Sequence, residues 1–562
     1  MNGNSQRPFM LIAAFAALSL AGLAPAAERH CKFVELGWDI PDTAFLRAHG
    51  ADMERDGPFD GVMFRVDGTA PDGKFNSQSA WDARPWKRQW LAPALADLKA
   101  CKFARFTDNF LLFNATPGTV AWNDDAGWTA LAAKMGHCAW LAREGGAKGL
   151  ALDFEPYGDR MFQYKPGGAE SWTQTVARAR ARGAQCVRAI AAEYPNAVLL
   201  TLFMNSVNFA AGECAQPDAK LAGEGYGLLP AFINGMLDAL PPGVVLVDGC
   251  ENGYYMDSEA EYLRAAAGMR AWDGPAARLV APENRARYRA QVQAGFGFYL
   301  DMFLNEPGNH YYRGPLDGSR LTHLKRNLAA AAGAADEYVW IYGEQCRWWS
   351  EPPHAGWGGG AMTKTVGRGR RWEEAMPGVT PAIAWVRNPQ QAARDAVEAA
   401  RANHSLSNLL RNAEFTARAG EGNLPENFSC WQRDDSHGSF AWDGAVGGGA
   451  ARAAGVADGC FLQETPATPG RRYAVEAAAR WSGGSPPSLR VRWQTEAGAW
   501  TQETRDVTIT FDTTSIDGWA HAFGTATVPG DAGKLLVLFG VRGQTTTNDA
   551  CWFDNAGVYA LP

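Results

Sequence analysis

The chain offers few of the side-chain spacings on which common catalytic chemistries depend. Its ten cysteines include no C-x-x-C pair, its nine histidines no H-x-H or H-E-x-x-H pair, and no G-x-S-x-G elbow occurs. Zinc and dithiol redox sites, metalloprotease helices and the Ser-His-Asp hydrolase plan therefore lack their usual signatures. Basic clusters are scarce too. Nothing exceeds the run Arg368 to Arg371, and the formal net charge is -7, so no nucleic-acid or phosphate-rich partner is expected. Long apolar runs are missing after the N-terminus, where a membrane helix would need roughly 20 uninterrupted apolar residues, so no membrane span is expected. The early stretch Met10 to Leu23, preceded by Arg7 and followed by Ala24-Pro25-Ala26-Ala27, has the layout of a signal peptide cut after Ala26 or Ala27. A secreted or periplasmic protein is the expectation. Cys31 follows Arg29-His30 rather than small residues, so no lipid anchor is expected.

Export would place all ten cysteines where disulfides are permitted. Seven precede residue 405 and three (Cys430, Cys460, Cys551) follow it, and odd counts on both sides leave either a bridge between the two regions or unpaired thiols. The 22 tryptophans are abundant. Aromatic faces suit the apolar C–H faces of sugars, although many indoles must simply be core.

Residues 28–405 read as one domain. Eight β-like runs alternate with helical or long loop stretches: Phe33 to Asp39, Gly61 to Val66, Asn109 to Ala115, Gly149 to Glu155, Val198 to Asn205, Val244 to Gly249, Gly295 to Phe303 and Tyr338 to Glu344. That alternation and count predict a (β/α)₈ TIM barrel. Helices are expected over Trp128 to Gly145, Ser171 to Tyr194 and Tyr226 to Leu240. Ser206 to Gly225 and the glycine-rich Gly356 to Gly369 read as long loops suited to lids or substrate walls. After about His404 the texture changes to short strands between Gly, Pro, Asn and Asp turns, which predicts an all-β sandwich over residues 406–562.

The most informative stretch is Gly149-Leu150-Ala151-Leu152-Asp153-Phe154-Glu155. On a strand, Leu150, Leu152 and Phe154 face one way, while Asp153 and Glu155 share the other face at the strand's C-terminal end, where a parallel barrel keeps its chemistry. Two acids this close cannot both ionise cheaply. Asp153 is therefore expected to raise the pKa of Glu155 and keep it a proton donor. An acidic loop after a strand would read the same way.

The stretch Gly149 to Glu155 resembles the fourth strand of the family 18 glycoside hydrolases, the chitinase-like enzymes, whose motif ends in Asp-x-Glu. The resemblance implies a barrel, an acid role for Glu155 and a supporting role for Asp153. It does not imply the chitinase substrate, because Lys148 and Ala151 stand where the motif has two earlier aspartates. The C-terminal region resembles the jelly-roll carbohydrate-binding modules of secreted glycoside hydrolases. Asn408-Leu409-Leu410-Arg411-Asn412-Ala413-Glu414-Phe415 opens it, Pro425 and Trp431 follow, and Trp552-Phe553-Asp554-Asn555-Ala556-Gly557-Val558-Tyr559 closes it. That resemblance implies a glycan partner, with Glu414 and Asp554 matching the acidic positions of a structural calcium. No other cofactor is expected. Trp431, Trp442, Trp481, Trp493 and Trp500 are candidates for stacking on sugar or for the core.

A glycosidase needs a second carboxylate. Glu251 follows the sixth run, Asp301 lies in the seventh, and Glu344 ends the eighth on the face of Trp340 and Tyr342, with Arg347, Trp348 and Trp349 close behind. Glu344 is preferred as nucleophile or base, and Asp301, with Tyr299 as a hydrogen-bond donor to it, is the next choice. Trp38 and Asp39 end the first run and form a possible rim. Asn114 and Asn205 could hold sugar hydroxyls or cap loops, and Glu35 and Arg65 are expected to pair inside the barrel. The expectation is a glycoside hydrolase acting on a poly- or oligosaccharide by carboxylate chemistry. Its alternatives are a non-catalytic glycan-binding protein with a degenerate cleft, and an enzyme acting on uronic-acid polymers, which would show several cleft arginines.

Overall fold

The computed structural model describes residues 31–168, 170–350, 369–420, 423–512 and 518–561. The expected signal peptide and, save Gly369, the glycine-rich loop lie outside the described residues.

Eight parallel strand positions close into a ring. In chain order they are Lys32–Gly37, Gly61–Phe64, Phe110–Asn114, Gly149–Asp153, Val198–Thr201, Val245–Asp248, the interrupted pair Val292–Ala294 and Phe296–Tyr299, and Tyr338–Gly343. Each pairs with its sequence neighbour, and the eighth pairs with the first from Lys32 opposite Tyr338 to Gly37 opposite Gly343. The seventh is split by Gly295, whose N–H donates to Asp248 O (2.8 Å). Its first half pairs with the sixth strand and its second with the eighth, which completes the (β/α)₈ barrel.

Both faces of these strands are covered, which is why their sequences are apolar with little alternation. Phe110–Asn114 is buried at every position. Helices supply the outer layer. Asp124 caps Asp125–Glu144 by accepting from Gly127 N, and Ser171 with Gln174 forms a capping box on Trp172–Glu193. The latter helix crosses Leu229–Ala239 at backbone contact. A Cβ on Gly183 would sit 1.9 Å from Phe232 O, and one on Gly235 1.7 Å from Arg180 O, so the crossing requires glycine on both sides.

Several strands stop earlier than their sequences suggest. Glu155, Asn205 and Glu344 are therefore loop residues just past strand ends. Ser206 to Gly225 is not structureless: it holds the short helices Phe209–Gly212 and Pro217–Leu221, and it borders a separate groove beside Trp172.

The C-terminal region is a jelly-roll sandwich of two five-stranded antiparallel sheets. One runs in the order Ser429–Gln432, Asp458–Pro466, Lys534–Arg542, Ser488–Gln494, Val507–Thr510. The other runs Ser439–Asp443, Ala450–Ala454, Ala550–Ala560, Arg472–Ser482, Ala520–Thr527. Phe461, Trp493, Phe539 and Phe553 fill the space between them. The helix Pro389–Ala402 lies on the outer face of the second sheet, where Ala393 and Val397 meet Ala474, Tyr559 and Leu561 and Arg401 pairs with Glu476 at 2.6 Å.

The expected disulfides do not form. No disulfide joins any of the ten cysteines, and Cys138, Cys186 and Cys551 are buried in the core, where a thiol packs as a small hydrophobic side chain. Among the described residues no helix is long and apolar enough to cross a membrane.

Candidate active site

The strand C-termini open into a cavity of about 760 Å³. Its wall carries four carboxyl groups (Asp153, Glu155, Glu251, Glu344) and eight aromatic rings, among them Trp38, Tyr157, Tyr254, Tyr299 and Tyr342. Among the described residues Arg65 is its only arginine or lysine, and that side chain pairs with Asp67 at 2.8 Å. Aromatics thus outnumber cations, the reverse of what a uronate-binding cleft would show.

A repeated device builds the site: a buried aspartate at a strand end accepts backbone N–H groups and so fixes the loop that presents a glutamate. Asp153 accepts Glu155 N at 2.9 Å and the Asn114 amide. Asn114 also donates to Glu155 O at 3.2 Å. Asp248 accepts Met204 N, Ser206 N, the Ser206 hydroxyl and Cys250 N. That grip holds Cys250 at φ 32°, a left-handed conformation costly for a side chain with a Cβ, immediately before Glu251. Asp301, fully buried, accepts Glu344 N at 2.9 Å and Gln345 N at 3.0 Å. Asp39 accepts Trp348 N at 2.7 Å.

This division of labour corrects several expectations. Asp39 and Asp301 do not face substrate, because their oxygens serve neighbouring loops. Asn205 is buried and donates to Ala276 O, having been turned away from the cavity by the short helix that starts at it. Trp348 packs edge-on against Phe59, and Arg347 binds the carbonyls of Trp349 and Ser350, so neither lines the cavity. Tyr299 donates to Glu344 (2.5 Å) rather than to Asp301. Glu35 lies on the helix side of the first strand beside Asp39, where burial and then the Asp39 charge push its carboxyl well above the ordinary range, and does not meet Arg65. Trp38, Asn114, Asp153, Glu155, Glu251, Tyr299, Tyr342 and Glu344 do come together around one cavity.

Burial and mutual repulsion set the proton affinities. Burial pushes Asp153 up to about 7, with the charge of Glu155 adding to the rise. Glu251 is pushed up to about 8 by burial and then by the charges of Glu155 and Asp153. The sequence placed the raised acid at Glu155; the rises are found at Asp153 and Glu251. Glu155 is half-buried and accepts the Tyr157 hydroxyl at 2.7 Å. Asp301 rises to about 7, chiefly by burial.

The sequence reading missed Tyr157, Tyr254, Tyr255 and Tyr311, and the Asn76, Gln78 and Ser79 rim supplied by the hairpin Asp67–Ala70/Gly73–Asn76 and its exit. The run Glu251-Asn252-Gly253-Tyr254-Tyr255, straight after a barrel strand, was the available signal. In the sandwich, Trp493 is core, Trp442 and Trp481 are half-buried, and Trp431 (53% exposed) and Trp500 (51%) stand in solvent. Glu414 lies near enough to Asp554 to help raise its carboxyl. Among the described residues no group of three or more Asp, Glu, His or Cys gathers.

No family model matches the chain, and no curated protein matches it. Solved structures match part of it. The enzymatically active domain of bacteriophage CBA120 tailspike protein 4 aligns at 12% identity and TM-score 0.22, over 27% of this chain and 21% of that one. A CBM4 carbohydrate-binding module aligns at 20% identity and TM-score 0.19, over 27% of this chain and 99% of that one. An arabinose-bound GH51 α-L-arabinofuranosidase aligns at 15% identity and TM-score 0.20, over 28% of this chain and 27% of that one. What the site can do follows from its own side chains.

Proposed function

We propose that the protein is an exported glycoside hydrolase in which Glu251 and Glu155 are the working pair. One observation carries this reading: in a single aromatic-lined cavity, a carboxyl that holds its proton up to about pH 8 lies close enough to Glu155 to feel its charge. Hydrolysis of a glycosidic bond needs an acid to protonate the leaving oxygen and a second carboxyl to meet the developing positive charge at the anomeric carbon. Glu251 is the donor and Glu155 the nucleophile, or the base that activates water. This exchanges the role first given to Glu155, because Glu251 is raised to about 8, first by burial. Asp153 is a positioning residue: it accepts the Glu155 N–H, and Asn114 donates to the Glu155 carbonyl. The rings of the wall supply apolar surface for pyranose faces. Trp431 and Trp500 give the sandwich two exposed indoles with which to hold the same glycan, and tethering raises local substrate concentration.

The test separates the two roles. Glu155→Gln is expected to abolish hydrolysis of every substrate in a broad glycan panel. Glu251→Gln is expected to lose roughly 10³-fold on native glycans, within the range for general-acid loss, yet to keep cleaving aryl glycosides whose activated leaving groups need no proton. A parent protein that binds glycans but cleaves none would overturn the enzyme reading in favour of a binding protein.

A further inference from the structure

Two carboxyls suffice for hydrolysis, and Asp153 serves to position one of them, which leaves Glu344 without a task in that chemistry. Its surroundings are distinctive. The Tyr299 hydroxyl donates to one of its oxygens at 2.5 Å and the Tyr342 hydroxyl to the other at 3.2 Å, while the Trp38 indole N–H donates to Tyr342 in turn at 2.7 Å. The rings of Tyr254, Tyr299 and Tyr342 are mutually packed, with centroids 5.0 to 6.0 Å apart and Tyr254 and Tyr342 within 8° of parallel. All of them line the cavity. A carboxylate held by the hydroxyls of packed tyrosines offers an ammonium group a negative charge with aromatic surface beside it, the two features that recognise such a cation.

Among the described residues, the cavity offers such a group little competition. Four carboxyls line it, and the one described arginine or lysine on its wall, Arg65, is already held by Asp67. An acidic sugar would find no unpaired cation among these residues, whereas an ammonium group would find Glu344.

We propose that Glu344, with Tyr254, Tyr299, Tyr342 and Trp38, forms an ammonium subsite, and that the glycan taken by this cavity carries free amino groups, as de-N-acetylated hexosamines do. The inference rests on the glycosidase reading for the cavity's role but is read out by binding alone.

The experiment uses the full chain bearing Glu155→Gln, which halts turnover, in titrations with glucosamine and galactosamine and their short oligomers. The N-acetylated and the parent neutral sugars are the comparators, at a pH where the amine is charged. Amine-bearing ligands are expected to bind about tenfold or more tightly than either comparator, and the preference should shrink as salt is raised. Adding Glu344→Gln should bring all three to equal affinity. Tyr342→Phe, which keeps the ring and removes the hydroxyl, should retain most of the preference and guards against a Glu344 variant that fails to fold. Equal or weaker binding of the amines, no detectable binding of any amine-bearing ligand, or a preference untouched by Glu344→Gln would overturn the subsite. If the parent protein hydrolyses neutral glycans with no amine preference, only the subsite falls. If amines bind through Glu344 but nothing is hydrolysed, only the glycosidase reading falls.

Discussion

The two ends of the barrel treat acids in opposite ways. At the N-terminal ends of the strands the carboxylates meet cations: buried Asp60 pairs with Arg387 at 3.0 Å, buried Asp108 lies between Lys32 (3.7 Å) and Lys148 (3.9 Å), and half-buried Asp336 pairs with Arg270 at 2.8 Å. At the C-terminal ends Asp39, Asp153, Asp248 and Asp301 are buried with backbone N–H groups for company, Glu251 is half-buried in the cavity wall, and loss of hydration raises all five. Paired acids lock a fold. Unpaired ones store protons and unfavourable energy, which is tolerable only where the stored imbalance is used. One ring of strands thus carries a stability end and a chemistry end.

The sharpest way to break this contrast is to mutate one acid partner at each end. Arg387→Ala leaves Asp60 buried beside Phe33 N without its counter-ion, and should cost about 3 kcal/mol of stability in denaturant unfolding, with kcat/KM unchanged in the folded fraction. Glu251→Gln should do the reverse, raising the melting temperature by roughly 5 °C as a raised carboxyl is replaced by a neutral amide, while activity collapses. Should both variants lose stability alike, the two ends are not specialised.

Why the sequence showed some of this and hid the rest is physical. Strand order was legible because barrel strands are short apolar runs whose sequence neighbours must also be spatial neighbours, and Gly149 to Asp153 or Tyr338 to Gly343 can be little else. The pair Asp153 and Glu155 was legible because strand periodicity assigns a face. Asp301 and Asp39 carried the same alternation but a different fate, since whether a strand-end aspartate meets solvent or a neighbouring loop's N–H depends on loops joined far along the chain: Gln345 and Trp348 reach them across 44 and 309 residues. Glu251 looked ordinary for a related reason. Its raised carboxyl owes most to burial and then to the charges of Glu155 and Asp153 at the end of another strand, and neither is visible until the ring closes. The first four sandwich strands, from Ser429 to Pro466, were unread because glycine and alanine dominate around them and little apolar alternation survives.

The pH dependence of stability should follow the chemistry end. Asp153 and Asp301 sit near 7 and Glu251 near 8 when folded, against ordinary carboxyl values near 4 in the unfolded chain. A carboxyl whose folded value is raised binds its proton more tightly in the native state. Its contribution is fully present below the unfolded value and is lost as pH rises through the folded one. The barrel should therefore be most stable below about pH 4 as far as these groups go, and weaken steadily from there to about pH 8. Thermal melts across that window check it, and Glu251→Gln combined with Asp153→Asn should flatten the slope. A melting temperature that climbs between pH 5 and 8 would overturn it.

The smallest effect tests the paired end itself. Lys148 immediately precedes the fourth strand, donates its backbone N–H to Asn109 O and reaches Asp108 only at 3.9 Å, with its side chain 40% exposed. Lys32, the Tyr338 hydroxyl (2.9 Å) and the Thr107 hydroxyl (2.7 Å) satisfy the same carboxylate more closely. Losing one long, solvated partner of four should change stability by about 0.5 kcal/mol or less, and less still at high salt. Lys148→Ala measured beside Arg387→Ala thus calibrates how much of the paired end is enclosed. A Lys148 effect as large as that of Arg387 would mean that Asp108 depends on its weakest contact, and that the N-terminal end holds its acids as precariously as the cavity does.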